Sequence, residues 1–338
     1  MVHVGIISSV LGVFLLPGYL FIHLSSLLIL ITKIAVAKYN ISLLIGALIS
    51  AILIAYHSII GTLPPQRFWI TLNFVAILVC RSVSQKSVSN PLTVLFSLVL
   101  FDFSLLFLDL LKFSSVYYSY FASNSLESYG FNIGRHIGLL GNPNISASFY
   151  AFGILYLLQR QIKYKMFTVL FIAMCLIMVA VTFSRTVASA LFICLITQLI
   201  IDVFTKNFGV RFWILAGIII LGVCALFYYD LARYIDRFLS IFDPNNTSLA
   251  QRAFKFQDFL SQVSVFTIVF GGIQLTVYDN DYMLLIGHFG IFVALLYTIL
   301  FLSLYKSNVL RLYFIILGFF TPVMVFPVFI YLSIYLED

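Results

Sequence analysis

Residues 166–204 read MFTVLFIAMCLIMVAVTFSRTVASALFICLITQLIIDVF. This stretch consists of two apolar runs, 166–183 and 186–204, which are separated only by Ser184 and Arg185. Each run is close to the roughly 20 residues that an α-helix needs to cross about 30 Å of hydrocarbon. The stretch therefore predicts two membrane-spanning helices joined by a very tight turn.

The same composition continues along the whole chain. Of 338 residues, 62% are hydrophobic and only 9% are charged, a balance that soluble domains do not reach. We predict an all-α fold, a single integral membrane domain over residues 1–338 with about ten spans. The predicted spans are 10–32, 41–57, 68–80, 91–111, 143–159, 166–183, 186–204, 212–229, 281–304 and 312–335.

Positive charges collect in every second short loop, for example at Lys33, Arg81, Lys163, Lys206 and Arg311. The positive-inside tendency places these loops in the cytoplasm and both termini outside. Two long loops, 112–142 and 230–280, then lie on the extracytoplasmic face, where long loops often carry function. The net charge of +7 is thus an orientation signal, and no nucleic-acid partner is expected.

Four arginines oppose that tendency, because they fall on or near the predicted outer face: Arg135, Arg185, Arg237 and Arg252. A guanidinium forms paired hydrogen bonds with phosphate oxygens, so the cluster favours a bound phosphate or pyrophosphate. Contact with lipid headgroups is the alternative for each arginine. Asp102, in the fourth predicted span, is expected to pair with one of them.

A capping-box pattern at Ser248 and Gln251 predicts the start of a helix in the second long loop. Arg252 would then lie near a helix N-terminus, where backbone N–H groups favour anions, with Lys255 further round the helix.

Polar motifs also open two predicted spans on the outer face. Asn142 precedes Pro143 and is predicted to cap the fifth span, close to Arg135, His136 and Asn144.

Asp279, Asn280 and Asp281 open the ninth predicted span. Acids at a helix N-terminus are stabilised by the helix dipole alone. The functional alternative is a carboxylate that accepts a proton beside the basic cluster. The pair Asp279 and Asp281 also matches the DxD motif of metal-dependent glycosyltransferases, but in a different context, so no metal or other cofactor is expected.

In their order along the chain, these segments resemble the O-antigen polymerase and O-antigen ligase superfamily over roughly residues 130–305. The features that carry the resemblance are the motif Gly141-Asn142-Pro143-Asn144 at the start of a span, Ser184-Arg185 at an outer turn, Arg252 ahead of Gly271-Gly272, and Asp279-Asn280-Asp281-Tyr282 followed by Gly290.

The resemblance implies a GT-C-like, metal-independent glycosyltransferase in the bacterial cytoplasmic (inner) membrane. Its substrate would be an oligosaccharide on undecaprenyl pyrophosphate, and membrane lipids and a chain-length regulator would be further partners. Arg185 and Arg252 would stabilise the leaving pyrophosphate, and Asp279 or Asp281 would accept the proton. The expected substrate-binding residues are Arg135, His136, Asn142, Asn144, Lys255 and Asn280.

Asp279 occupies the position where ligases of the superfamily typically have histidine, and this difference favours a polymerase of O-antigen or capsule repeat units. Two alternatives stay open. One is a ligase that transfers finished polymer to the lipid A core, and the other is a flippase or other transporter of lipid-linked sugars.

Overall fold

The structure is a computed structural model. It describes residues 70–71, 73–74, 77, 91–110, 136, 138, 140, 142–159, 165–182, 184–206, 217, 247–273, 280–325 and 329–330. Within these residues the regular structure is helical and no strand occurs, which confirms the all-α class. The predicted spans 10–32 and 41–57 lie outside the described residues, as does most of the first long loop, 112–142.

The described residues contain nine helices with defined bounds. The first four are α1 (Pro91–Leu110), α2 (Pro143–Gln159), α3 (Lys165–Val181) and α4 (Arg185–Phe204), and their ends lie within two residues of the predicted spans. The remaining five are α5 (Thr247–Gln262), α6 (Val265–Phe270), α7 (Asp281–Phe289), α8 (Ile291–Ser303) and α9 (Asn308–Gly318).

One described helix, α4, is long and apolar enough to cross a bilayer unaided, and α3, α8 and α9 are apolar but shorter. The predicted count of ten spans is therefore not confirmed. Among the described residues, Phe204, Phe292 and Ile299 are nevertheless more than 60% exposed, whereas Asp102 and Asp202 are fully buried. Full burial of aspartate is uncommon, since charged residues mostly lie at the surface.

The core of the bundle forms around α2, which packs against α3, α4 and α9. Every residue of α2 from Ile145 to Leu158 is buried, as expected of a helix that is apolar on all sides. Ring contacts continue the core towards the C-terminal part of the chain, because Phe152 lies 5.9 Å from Phe314 and 6.2 Å from Phe329 between ring centroids.

The predicted ninth span, 281–304, is wrong as a continuous helix, because the chain breaks at Gly290 between α7 and α8. Gly290 has a φ of 83°, and a Cβ at this position would collide with the carbonyl of Val269. On the other side of the contact, a Cβ at Gly271 would lie 2.5 Å from the carbonyl oxygen of His288. Two backbones therefore pass so closely that only glycine fits at either position.

The predicted tenth span, 312–335, is also interrupted. The helix α9 ends at Gly318, and residues 321–325 are not helical. Pro322 lacks an N–H group and disfavours helical geometry at the residue before it. The ring of Phe329 lies 5.5 Å from that of Phe314, so the chain beyond the break runs beside α9 instead of extending it.

The glycine contact predicts a specific pattern of stability changes. We expect Gly290→Ala to lower the free energy of unfolding by about 3 kcal/mol or more, because the backbone strain adds to a collision with a carbonyl. Gly217→Ala is the matched control, since Gly217 is helical and a Cβ there meets nothing within 4 Å. That control should be neutral or stabilising by up to about 1 kcal/mol. Thermal melting of the purified variants in detergent measures both, and an unchanged melting temperature for Gly290→Ala would contradict the contact.

Candidate functional site

The first turns of α2 and α4 meet at one end of the bundle. The side-chain oxygen of Asn142 accepts hydrogen bonds from the N–H groups of Asn144 (2.9 Å) and Ile145 (3.4 Å), which confirms Asn142 as the cap of α2. The side-chain oxygen of Asn144 accepts a hydrogen bond from the Ser184 hydroxyl at 2.9 Å. Two motifs that lie 40 residues apart in the sequence are thus in direct contact.

The N-terminus of α4 carries Arg185 as its first helical residue, with a partly exposed side chain. Ser184 precedes it in an extended conformation and accepts no capping hydrogen bond with its side chain, and its hydroxyl donates to Asn144. The first-turn N–H groups of α4 therefore lack the usual capping side chain. Together with the guanidinium and the helix dipole, they favour an anion at this end.

His136 links the predicted outer loop to the bundle. Its Nε2 lies 3.0 Å from a carboxylate oxygen of Asp102 on α1, and both side chains are at most 1% exposed. Its backbone N–H donates to the carbonyl of Val181 at the end of α3. His136 is thus held at the same end of the bundle as the start of α4. The sequence had not suggested histidine as a partner of Asp102.

The helix α9 runs antiparallel to α2 and α4. The carbonyl of Val309, near its start, lies 3.9 Å from the Cys194 sulfur in the middle of α4. One turn later, the Tyr313 hydroxyl donates to the carbonyl of Ser148, close to the start of α2. The C-terminal end of α9 therefore points towards the end of the bundle where α2 and α4 begin.

The rise per residue of an α-helix shows how far α9 extends along α4. Gly318 is nine residues beyond Val309, and Arg185 is nine residues before Cys194. At about 1.5 Å per residue both segments cover about 13.5 Å, so the C-terminal end of α9 lies towards the same end of the bundle as Arg185.

The start of α7 is fastened to this end of α9. Asn280 caps α7 by accepting the N–H of Met283 at 3.0 Å, and its amide donates to the carbonyl of Phe319 at 2.9 Å. The Tyr282 hydroxyl adds a hydrogen bond to the carbonyl of Ile315. The N-termini of α2, α4 and α7 consequently lie at the same end of the bundle.

Asp281 anchors the interrupted segment that follows α9. Its fully buried carboxylate accepts the N–H groups of Met324 (2.8 Å) and Val325 (3.4 Å). The carbonyls of the same two residues accept hydrogen bonds from the Tyr297 hydroxyl (2.9 Å) and the Asn73 amide (2.5 Å). These contacts describe Asp281 as a structural anchor, and its predicted role as a base remains a prediction.

Arg252 and Lys255, the basic residues predicted in the second long loop, lie on α5. The helix α5 begins at Thr247, so Ser248 lies inside the helix and the predicted capping box at Ser248 is wrong. Arg252 falls in the second turn, beyond the first turn where the helix dipole acts most strongly. Lys255 lies on the same helix, and α5 makes no extensive packing contact with α2, α4 or α7 among the described helices.

The remaining predicted residues, Arg135 and Asp279, lie outside the described residues, and so does Arg237. Within the described part of the chain, no group of three or more His, Cys, Asp or Glu side chains could hold a metal ion. The structure therefore places two groups of predicted residues at one end of the bundle. Asn142, Asn144 and Arg185 lie where α2 and α4 begin, with His136 nearby, and Asn280 and Asp281 lie where α7 begins, beside the end of α9.

No protein family, curated protein or solved structure matches this chain. The resemblance to O-antigen polymerases and ligases accordingly remains a prediction from the sequence.

The anchor at Asp281 predicts a loss of stability that does not depend on any activity. Asp281→Ala leaves two buried backbone N–H groups without an acceptor, each at a cost of about 1–3 kcal/mol. Tyr282→Phe is the control on the same helix, because it removes one hydrogen bond and should cost about 1 kcal/mol. The melting temperatures of the two detergent-purified variants provide the test. Equal melting temperatures would show that the carboxylate does not hold the segment at Met324 and Val325.

Proposed function

We propose that this protein is a metal-independent glycosyltransferase that polymerises lipid-linked oligosaccharide repeat units. The growing glycan would be carried on undecaprenyl pyrophosphate at the outer face of the bacterial cytoplasmic membrane. The observation that supports the proposal is that three helix N-termini, those of α2, α4 and α7, lie at the end of the bundle that carries Arg185. Helix N-termini and a guanidinium both favour a negatively charged ligand, such as the pyrophosphate of the lipid carrier.

The polar contacts at this end support a role for neutral groups in binding sugar. Asn142, Asn144 and Asn280 are each held by hydrogen bonds to backbone or to Ser184, so their positions are preorganised. Amide and hydroxyl groups of this kind supply both donors and acceptors for sugar hydroxyls. A cationic group beside neutral polar groups matches a substrate that joins pyrophosphate to an oligosaccharide.

In the proposed reaction, a hydroxyl of the incoming lipid-linked unit attacks the anomeric carbon of the growing chain. The new glycosidic C–O bond forms as the bond to the pyrophosphate oxygen breaks, and undecaprenyl pyrophosphate departs with the bonding electrons. Arg185, with Arg252 and Arg135, would stabilise the charge that develops on the leaving oxygen. The donor is already activated, so the reaction requires no nucleotide site.

The proton of the attacking hydroxyl requires a carboxylate as acceptor, and we assign this role to Asp279. Asp281 is the weaker candidate because its buried carboxylate already accepts the N–H groups of Met324 and Val325. Asp279 is two residues earlier, next to the cap residue Asn280 at the end of the bundle where Arg185 lies.

One observation favours a transporter of lipid-linked sugars as the second candidate. The predicted spans 281–304 and 312–335 are both interrupted, and discontinuous spans often form substrate sites in secondary transporters. In this chain, however, protein groups pack at both breaks. The backbone of Val269 lies against Gly290, and the carboxylate of Asp281 binds the segment after α9. Such packing accounts for them without a transport pathway.

The lipid-linked intermediates of a deletion strain distinguish the candidates. Loss of a polymerase leaves single repeat units on undecaprenyl pyrophosphate at the outer face. Loss of a ligase leaves long lipid-linked polymer, and loss of a flippase leaves single units on the cytoplasmic side. We expect single units at the outer face, measured by mass spectrometry with accessibility to added glycosidase. Either other result would replace the proposed activity.

A charge-conserving substitution at Arg185 tests the leaving-group role. We expect Arg185→Lys to lower the polymerisation rate roughly a hundredfold, equivalent to about 2–4 kcal/mol, because lysine lacks the bidentate fork. The control is Arg311→Lys, since Arg311 lies in the first turn of α9, at the other end of that helix from Gly318, and donates to the carbonyls of Leu302 and Tyr305 near the end of α8. Both proteins should accumulate, and polymer length on gels reports activity. Wild-type polymer in the Arg185→Lys strain would leave Arg185 as a headgroup contact.

A further inference from the structure

We propose that the segment from α5 to α6 is embedded in the leaflet of the bilayer on the side of the candidate site. The sequence placed this segment in an extracytoplasmic loop, 230–280. The proposal concerns its partner, which is the hydrocarbon of membrane lipids, and it holds whether or not the protein is a glycosyltransferase.

The first observation is an exposed apolar surface. Val265, Phe254 and Phe266 are 83%, 71% and 61% exposed, and Phe256, Leu260 and Phe270 are each just over half exposed. No residue of α6 is buried, although all but one of its six residues are large and apolar. Water is an unfavourable surrounding for an apolar surface of this kind, so another apolar medium must cover it.

The second observation is the division of α5 into three sectors. At 100° per residue, Lys255, Asp258, Phe259 and Gln262 form one face, and these side chains are buried or partly buried. Phe256 and Leu260 form a second, exposed apolar face. A third, mixed face carries the exposed polar residues Gln257 and Ser261 together with the exposed Phe254. A helix that packs one face on protein and exposes apolar side chains on the others is compatible with the membrane interface.

The third observation is that hydrogen bonds are present at both ends of α6. The hydroxyl of Ser264 accepts the N–H of Thr267 (3.1 Å), and the hydroxyl of Thr267 accepts the N–H of Ser264 (2.7 Å). At the other end, Gly271 donates to the carbonyl of Thr267, and Ile273 donates to the carbonyl of Gly287. An unsatisfied peptide group in hydrocarbon costs several kcal/mol, so these bonds make a short helix compatible with lipid.

The exposed surface also continues onto a predicted span. The helix α6 packs against α7 and α8, and α8 exposes Phe292, Leu295 and Ile299 along one face. A single apolar medium therefore covers α6 and α8 together. A bilayer meets that requirement, because one continuous layer of hydrocarbon can cover the exposed faces of both helices.

Tryptophan fluorescence in nanodiscs of brominated phosphatidylcholine tests the proposal. Trp69 and Trp213 are replaced by phenylalanine, and one tryptophan is introduced by Phe266→Trp or, as the matched control, Gln257→Trp. We expect bromine to quench Phe266→Trp roughly twofold more strongly than Gln257→Trp, with emission at shorter wavelength. Aqueous iodide should show the opposite order.

Two results would overturn the proposal. Quenching of Phe266→Trp by iodide and not by bromine would place α6 in water. Protection from both quenchers would mean that protein, either a partner or a second copy of this chain, covers the surface. If the background without native tryptophans does not fold, the same two substitutions in the native background are read relative to the unsubstituted protein. Because the measurement requires no substrate, failure of the proposed glycosyltransferase activity would not affect it.

Discussion

Peptide groups that leave a helix inside an apolar environment must find partners, and this constraint shapes the described half of the bundle. The chain breaks after α9, and the N–H groups of Met324 and Val325 are then satisfied by the carboxylate of Asp281. The carbonyls are satisfied by Tyr297 and Asn73. Four polar bonds from three separate segments thus replace the intrahelical bonds that the break removes.

The same anchor brings the candidate site together. Because Asp281 is tied to the segment after α9, the neighbouring Asn280 caps α7 beside the end of α9, towards the end of the bundle that carries Arg185. Three helix N-termini then lie at one end of the bundle, and each favours negative charge within its own first turn. The residues that hold the fold and those proposed to bind substrate are therefore neighbours in the sequence, and a loss of activity at 280–282 has to be separated from a loss of folding.

The sequence predicted local structure well and contacts between segments poorly. The bounds of α2 agree with the predicted span 143–159, because Asn142 and Pro143 are strong local signals for a helix start. The break at Gly290 was missed because glycine is common in spans, and only the approach of Val269 makes it necessary there. The partners of Asp281 were unpredictable for a different reason, since they are backbone groups that leave no pattern in the sequence.

The hydrogen bond between Asn73 and the carbonyl of Val325 has a consequence for synthesis of the protein. The two residues are separated by 252 positions, so the ribosome needs roughly 13–50 s to make the second after the first at about 5–20 residues per second. During that interval the amide of Asn73 lacks its acceptor and Asp281, once made, lacks its donors. A nascent chain in this state lacks these hydrogen bonds until Met324 and Val325 have been made.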